Sequence, residues 1–189
     1  MPYIRNSIRV AVVASAALAL VGAVIVAPSA SAGRPIRAAA TIEDATGATI
    51  GSARFMEDAR GTVHVNVRVR GLAPGSHGTH IHTVGVCDAP DFLTAGGHFN
   101  PTGAPHGEHS KHEAAVHHAG DLPNMTVNRR ARGHLNTTSI HFTLTHGDAA
   151  SLFDADGSSI VVHAAPDDYV TQPTGNSGAR VACGVIGEI

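Results

Sequence analysis

Two histidines one residue apart, in Gly78-Thr79-His80-Ile81-His82, set a chemistry that other segments have to complete. In an extended strand side chains alternate between faces, so His80 and His82 point the same way and Ile81 the other. Two neutral imidazoles converging on one point suit copper or zinc, and such a pair needs further ligands from a distant segment. Taken alone, the motif is equally well explained by two solvent-facing histidines on an edge strand.

The further donors lie downstream. Between Cys87 and Asn124 there is no sustained period of 2 or of 3.6, and Gly, Pro and His are dense. A structureless loop of that length inside a compact domain is functional or disordered. His98, His106, His109, His112, His117 and His118, with His82 at its mouth, favour function through a metal. The candidate ligands are His98 in Gly96-Gly97-His98-Phe99-Asn100-Pro101, His106 in Pro105-His106-Gly107, and the pair in His118-Ala119-Gly120-Asp121. Three imidazoles and one carboxylate make a tetrahedral zinc set, and a His-x-x-Asp turn lets both side chains reach one ion. Opposite them, His80, His82 and His163 offer three nitrogens to copper. His98, as a doubly deprotonated imidazolate, can hold one ion at each ring nitrogen.

These residues need a frame, and the remaining pattern supplies strands. Over Thr62–Arg70, Val63, Val65, Val67 and Val69 fall on one face and His64, Asn66, Arg68 and Arg70 on the other, so His64 reads as solvent-facing. Turns are marked at Glu43–Gly47, at Glu57–Gly61 and at Gly71–Gly75. A strand is expected at Ser139–Thr145, with Ile140, Phe142 and Leu144 inward and His141 outward; His146 reads as a surface residue and His134 stays unassigned. Ser159–His163 reads as a buried strand, and a polar loop over Ala164–Ala179 leads to a last strand at Val181–Ile186. No segment has a helical period, which indicates an antiparallel sandwich or barrel.

Residues 1–32 read as a secretory signal. Arg5 and Arg9 precede an apolar run from Val10 to Val26, and Ala30-Ser31-Ala32 fits the small-residue cleavage rule. That run falls short of the roughly 20 residues of a spanning helix, so cleavage after Ala32 and no membrane span afterwards are expected. Residues 33–189 then form one domain, with 11 basic and 15 acidic residues and a formal charge of −4. Nothing in that balance resembles a nucleic-acid footprint; Arg129-Arg130-Ala131-Arg132 is too short a run and reads as a solvated turn. In an exported protein Cys87 and Cys183 form a disulfide by default, the alternative being two metal-binding thiolates.

Five segments, in order, resemble the copper/zinc superoxide dismutase family, bacterial exported type, over essentially the whole domain. They are His77–His82, Gly97–Pro101, His118–Leu122, Val161–His163 and Gly178–Gly187. The resemblance implies copper ligands His80, His82, His98 and His163, and zinc ligands His98, His106, His118 and Asp121. It also implies that Asp167 links a copper histidine to a zinc histidine, that Arg180 is the active-site arginine, and that Cys87 pairs with Cys183. The implied fold is all-β: an eight-stranded antiparallel Greek-key barrel or sandwich, immunoglobulin-like, with two long functional loops. The implied activity is conversion of two superoxide anions and two protons to oxygen and hydrogen peroxide by alternate reduction and oxidation of copper beside a structural zinc. In that chemistry His98 shuttles a proton. The place implied is outside the cytoplasm, whether secreted, envelope-attached or periplasmic.

Three departures qualify the match. Thr79 stands where a bulky apolar residue is common. The segment His106–His118 is long and carries His109, His112 and His117 as rivals for the second zinc position; His106 is preferred because it follows His98 by eight residues and precedes glycine. The loop Ala164–Ala179 is short and has no lysine, so weaker electrostatic steering is expected. A copper-only dismutase would not need His118 and Asp121, and a non-enzymatic metal buffer would not need Arg180. Whether the protein is a homodimer or a monomer is not legible.

Overall fold

The computed structural model describes Met1 and residues 34–109 and 117–189, which covers the domain expected over 33–189 except for its first residue and one loop segment. The signal expected over residues 1–32 lies outside the described residues apart from Met1, as does His112.

Alternation of apolar and polar residues builds the first three strands into a meander: β1 (Ile36–Asp44), β2 (Thr49–Glu57) and β3 (Val63–Arg70). On β3 all four valines are buried and all four polar residues lie on the outer face. Burying one such side chain stabilises by about 1.5–3 kcal/mol relative to leaving it in water. The remaining strands are β4 (Gly75–His77), β5 (Thr79–His82), β6 (Met125–Val127), β7 (Arg132–Ser139), β8 (Ser159–His163), β9 (Arg180–Val185) and β10 (Gly187–Glu188).

The strand order is β4-β6-β7-β3-β2-β1-β9-β8-β5, antiparallel throughout, with β10 also on β1. β4 and β5 are the two halves of one strand interrupted at Gly78, and β10 continues β9 beyond Ile186. Counted so, the described residues form eight strands, and because the broken strand stands at both ends of the order the sheet nearly closes into a barrel. The core inside it includes Ile42, Phe55, Val65, Ile81, Leu122, Phe142 and Ile160. A smaller cluster outside it packs Phe92 and Ala95 against the disulfide between Cys87 and Cys183, whose Cα atoms are 5.7 Å apart.

One strand lies elsewhere than expected. Residues 140–145 are not a strand, and Ile140 is exposed; the strand is the preceding Arg132–Ser139. Its inward residues are Gly133, Leu135, Thr137 and Ser139, mostly small or polar, so no hydrophobic alternation announces it. Of the expected inward set, Phe142 and Leu144 are buried all the same, because buried Glu57 captures their segment: it accepts hydrogen bonds from the Leu144 amide (2.6 Å) and from Thr143 Oγ1 (2.8 Å). Met125–Val127 is a further strand that sequence periodicity did not reveal, being only three residues long.

Glu57→Ala would leave the Leu144 amide buried without an acceptor. A loss of about 2–3 kcal/mol is expected, read as a fall of roughly 4–9 °C in the thermal midpoint of the metal-loaded protein. An unchanged midpoint would show that the loop holds its place without the carboxylate.

Candidate metal centre

β5 presents His80 and His82 on one face and Ile81, wholly buried, to the core. The opposite edge of β5 from β8 is occupied by two loop segments paired to it as isolated bridges, His82 with His98 and His80 with Asp121. Three backbone hydrogen bonds set that register: Phe99 N to Ile81 O, Ile81 N to Gly120 O, and Gly120 N to Phe99 O, each 2.8 Å. The loop ligands are therefore placed by β-type pairing rather than by side-chain attraction alone. β8 ends on His163, whose amide donates to Gly78 O at 2.8 Å.

The structure brings the candidates together as two buried groups sharing one member: His80, His82, His98 and His163, and His98, His106, His118 and Asp121. Within each group the potential ligand atoms lie within 4.8 Å of one another. In the first group each ring has one nitrogen held and one left over. His80 Nε2 meets Asp167 Oδ2 at 2.6 Å, His82 Nδ1 meets Gly96 O at 2.9 Å, and His163 Nδ1 meets Gly178 O at 3.2 Å. The leftover atoms are His80 Nδ1, His82 Nε2, His98 Nε2 and His163 Nε2, all buried and without a hydrogen-bond partner among the described residues. Four such imidazole nitrogens form a donor set that fits copper.

In the second group Asp121 Oδ1 lies 2.8 Å from His98 Nδ1 and 3.4 Å from His118 Nδ1, while Oδ2 lies 3.1 Å from His106 Nδ1. The His98 ring thus turns Nε2 to one group and Nδ1 to the other, as a bridging ligand must. Three nitrogens around one carboxylate fit a tetrahedral zinc site. His109 and His117 are not in it: His109 places its ring nitrogens 3.0 Å from Asp121 O and 2.9 Å from Thr138 O, and His117 Nδ1 is 2.7 Å from His118 O. With His141 they form a cluster of tilted and edge-on rings beside the end of β7.

Burial sets the protonation of these groups. It pushes His98 down to about 4 and His163 to about 3, and His82 also well below the usual value, so the lone pairs a metal requires are available. Burial also opposes ionisation of Asp121, but hydrogen bonds with His106, His118 and His98 outweigh it and hold the carboxyl far below its ordinary range. His106 moves the other way: desolvation opposes its charge, yet the carboxylates of Asp121 and Asp167 raise it to about 9.

Asp167 joins the two groups. Its Oδ2 receives His80 Nε2, and its Oδ1 lies 2.9 Å from His106 Nε2. Asn124 fixes it in turn, accepting from the Asp167 amide at 2.8 Å and donating to its carbonyl at 2.9 Å. Arg180, opposite His163 in the β8–β9 ladder, donates to Phe92 O and Gly96 O at 2.6 Å each and remains partly exposed. Gly96 O thereby ties the arginine to His82.

Sequence reasoning assigned no role to His77, Asn124, Gln172 or Gly175. His77 places its ring nitrogens 2.6 Å from His163 O and 2.9 Å from Ala73 O, and lay unremarked inside the first motif. Gln172 exchanges two hydrogen bonds with the His106 backbone across 66 residues, for which no spacing is a signal. Gly175 has φ +62°, and a Cβ there would overlap the Asp167 carboxylate and stand 2.6 Å from His106 Nε2.

A family model described as copper/zinc superoxide dismutase matches residues 49–186. The chain is 37% identical over 159 residues to a protein of Aquifex aeolicus named superoxide dismutase [Cu-Zn] 2, covering 84% of this chain and 91% of that one. It is 42% identical over 158 residues to the superoxide dismutase [Cu-Zn] of Deinococcus radiodurans, covering 78% and 82%. Among solved structures, a SOD-like protein from Bacillus subtilis superposes with a TM-score of 0.70 at 35% identity, over 78% of this chain and 96% of the other.

Gly175→Ala is expected to push the Asp167 carboxylate off His106 and weaken zinc retention by roughly 10–100-fold, measured by competition with a chelator of known affinity. Gly147→Ala, at φ +80° with nothing within 4 Å, imposes the same backbone strain away from the site and should leave retention unchanged. Equal retention in both variants would remove Gly175 from the architecture of the site.

Proposed function

The chain belongs to the copper/zinc superoxide dismutase family, and on that premise we propose that His80, His82, His98 and His163 hold its copper and that His98, His106, His118 and Asp121 hold its zinc. The activity is dismutation: two superoxide anions and two protons give one oxygen and one hydrogen peroxide. The observation that supports this division of ligands is the pair of buried donor groups meeting at the His98 ring. Copper supplies the one-electron redox chemistry when bound, and zinc supplies fixed charge without redox change.

The residues do the rest. Asp167 orients His80 and His106 together, and the carbonyls of Gly96 and Gly178 orient His82 and His163. His98, anchored at Nδ1 by Asp121, is the ring whose Nε2 takes up a proton and returns it to the nascent peroxide. The Arg180 guanidinium, fixed by two carbonyls, draws in the small anion and holds it beside these nitrogens. Such a local positive field matters in a chain whose formal net charge is −2. The zinc set speaks against a copper-only enzyme, and the arginine speaks against a simple metal buffer.

Superoxide turnover should accompany one copper and one zinc per chain and be abolished by cyanide. Arg180→Ile should lower the rate by roughly tenfold and flatten its salt dependence while both metals stay bound. Bound metals without turnover would overturn the enzyme reading, and an unchanged rate in Arg180→Ile would remove the arginine from it.

We also infer that the protein works outside the cytoplasm, supported by the leader pattern of residues 1–32 and by the disulfide between Cys87 and Cys183. N-terminal sequencing of the extracytoplasmic protein should begin at Gly33. Recovery of the activity in the cytoplasm alone, with Met1 retained, would overturn this.

A further inference from the structure

We propose that a groove on the outer face of β2, β3 and β7, away from the metal centre, docks a phosphate-bearing polymer that carries no nucleobases. The groove has a volume of about 610 Å³ and is lined by Arg68, Arg70, Arg132 and His134 over a floor that includes Gly51, Ser52 and Gly133. Its charge is created by strand register. Arg70 stands directly opposite Arg132, and Arg68 opposite His134.

Like charges facing each other across a strand pair destabilise it, and no ion pair among the described residues offsets them here. Among the described residues, the side chains of Arg68, Arg70 and Arg132 make no ion pair or hydrogen bond. On the neighbouring end of β1 the Asp44 carboxylate is engaged by the Thr46 amide, the Thr46 hydroxyl and the Ala48 amide, and Glu43 lines a different groove. No Asp or Glu lines the arginine groove.

The row of cations continues past the groove. The β6–β7 turn, closed by Asn128 and joined to the end of β3 by Gly71 N donating to Ala131 O, carries exposed Arg129 and Arg130 directly beyond Arg132. The short arginine run of the sequence, which reads alone as a solvated turn, thus gains two partners from β3. Five arginines gathered on adjoining strands and the turn between them match an anion whose charges repeat along a chain, and the guanidinium fork suits tetrahedral phosphate oxygens. The lining has no Phe, Tyr or Trp, and its one aromatic ring, His134, is tied to Asn66 at 3.0 Å, so it offers no dedicated platform for stacking successive bases, which favours a polymer without bases.

The test uses the metal-loaded protein and labelled long-chain inorganic polyphosphate, with binding read by fluorescence anisotropy. Saturable binding is expected that weakens by about tenfold or more between roughly 50 and 200 mM salt. Arg70→Glu with Arg132→Glu should weaken it by at least about tenfold, with dismutase turnover as the check that the fold and metals are intact. Arg37→Glu makes a charge reversal on β1 outside the groove and should change affinity by less than about twofold. If the double reversal does not fold, Arg70→Gln with Arg132→Gln replaces it. No binding at low salt would overturn the proposal, as would equal losses from the Arg37 and groove variants. Displacement by orthophosphate at equal total phosphate would show a site for a compact anion instead. Single-stranded DNA binding as tightly as polyphosphate would contradict the base-free assignment, and capture of phosphatidylglycerol vesicles without polyphosphate binding would assign the face to a membrane.

Discussion

The structure depends on one costly arrangement: four imidazole nitrogens, on His80, His82, His98 and His163, buried with no hydrogen-bond partner among the described residues. Each such atom removed from water costs about 1–3 kcal/mol. A chain cannot bury them together without fixing every ring from behind, since any ring free to turn would find a carbonyl or water. The backs of the rings are accordingly held by Asp167, Asp121 and the carbonyls of Gly96 and Gly178. The cost is recovered when the lone pairs are used by metals, which couples metal binding to the stability of the fold.

The barrel meets this demand through one broken strand. Interrupting β4 from β5 at Gly78 lets the same stretch close the barrel on β6 and β8 and still leave an edge of β5 for loop residues. A Cβ at Gly78 would stand 2.7 Å from Ser177 Oγ, so the loop before β9 packs directly over the break. Three long-range clamps then hold the loops that carry Asp167 and His106: His77 on the carbonyl of His163, Asn124 on the backbone of Asp167, and Gln172 on the backbone of His106. The loops lack regular secondary structure, but their polar groups are paired at the positions that matter for the site.

How much of this is legible in the sequence follows from which interactions are local. The His80–Ile81–His82 alternation and the valines of β3 are period-2 signals, and both faces are as expected. The motif resemblance indicates the family, the disulfide and the barrel, and each of these is found. What escapes is carried by contacts without a local pattern. β7 hides because a strand packed against β3 and β6 has little room for large inward residues at its start, where a Cβ on Gly133 would stand 2.7 Å from Val69 Cγ2. Residues 140–145 show the opposite failure, an apolar alternation without a strand, because Glu57 takes the backbone amide that a ladder would have used. His109 and His117 carry the right chemistry for zinc, and only the fold shows both ring nitrogens of His109 and Nδ1 of His117 spent on carbonyls.

Charge is the clearest case of a property that composition conceals. A formal charge of −2 over 189 residues describes neither of the two cationic places on the surface. Arg180 serves the metal centre as a single fixed cation beside His163, and the loop 164–179, with neither lysine nor arginine, adds no second cation. The arginines of β3 lie four strands from β8 in either direction round the ring of eight. Screening at physiological salt confines an exposed charge to a Debye length of about 8 Å. With a whole barrel between them, the two patches act on their surroundings independently. The groove arginines therefore do not act as a remote steering field for superoxide, and an accumulation of unpaired cations there calls for a ligand of its own.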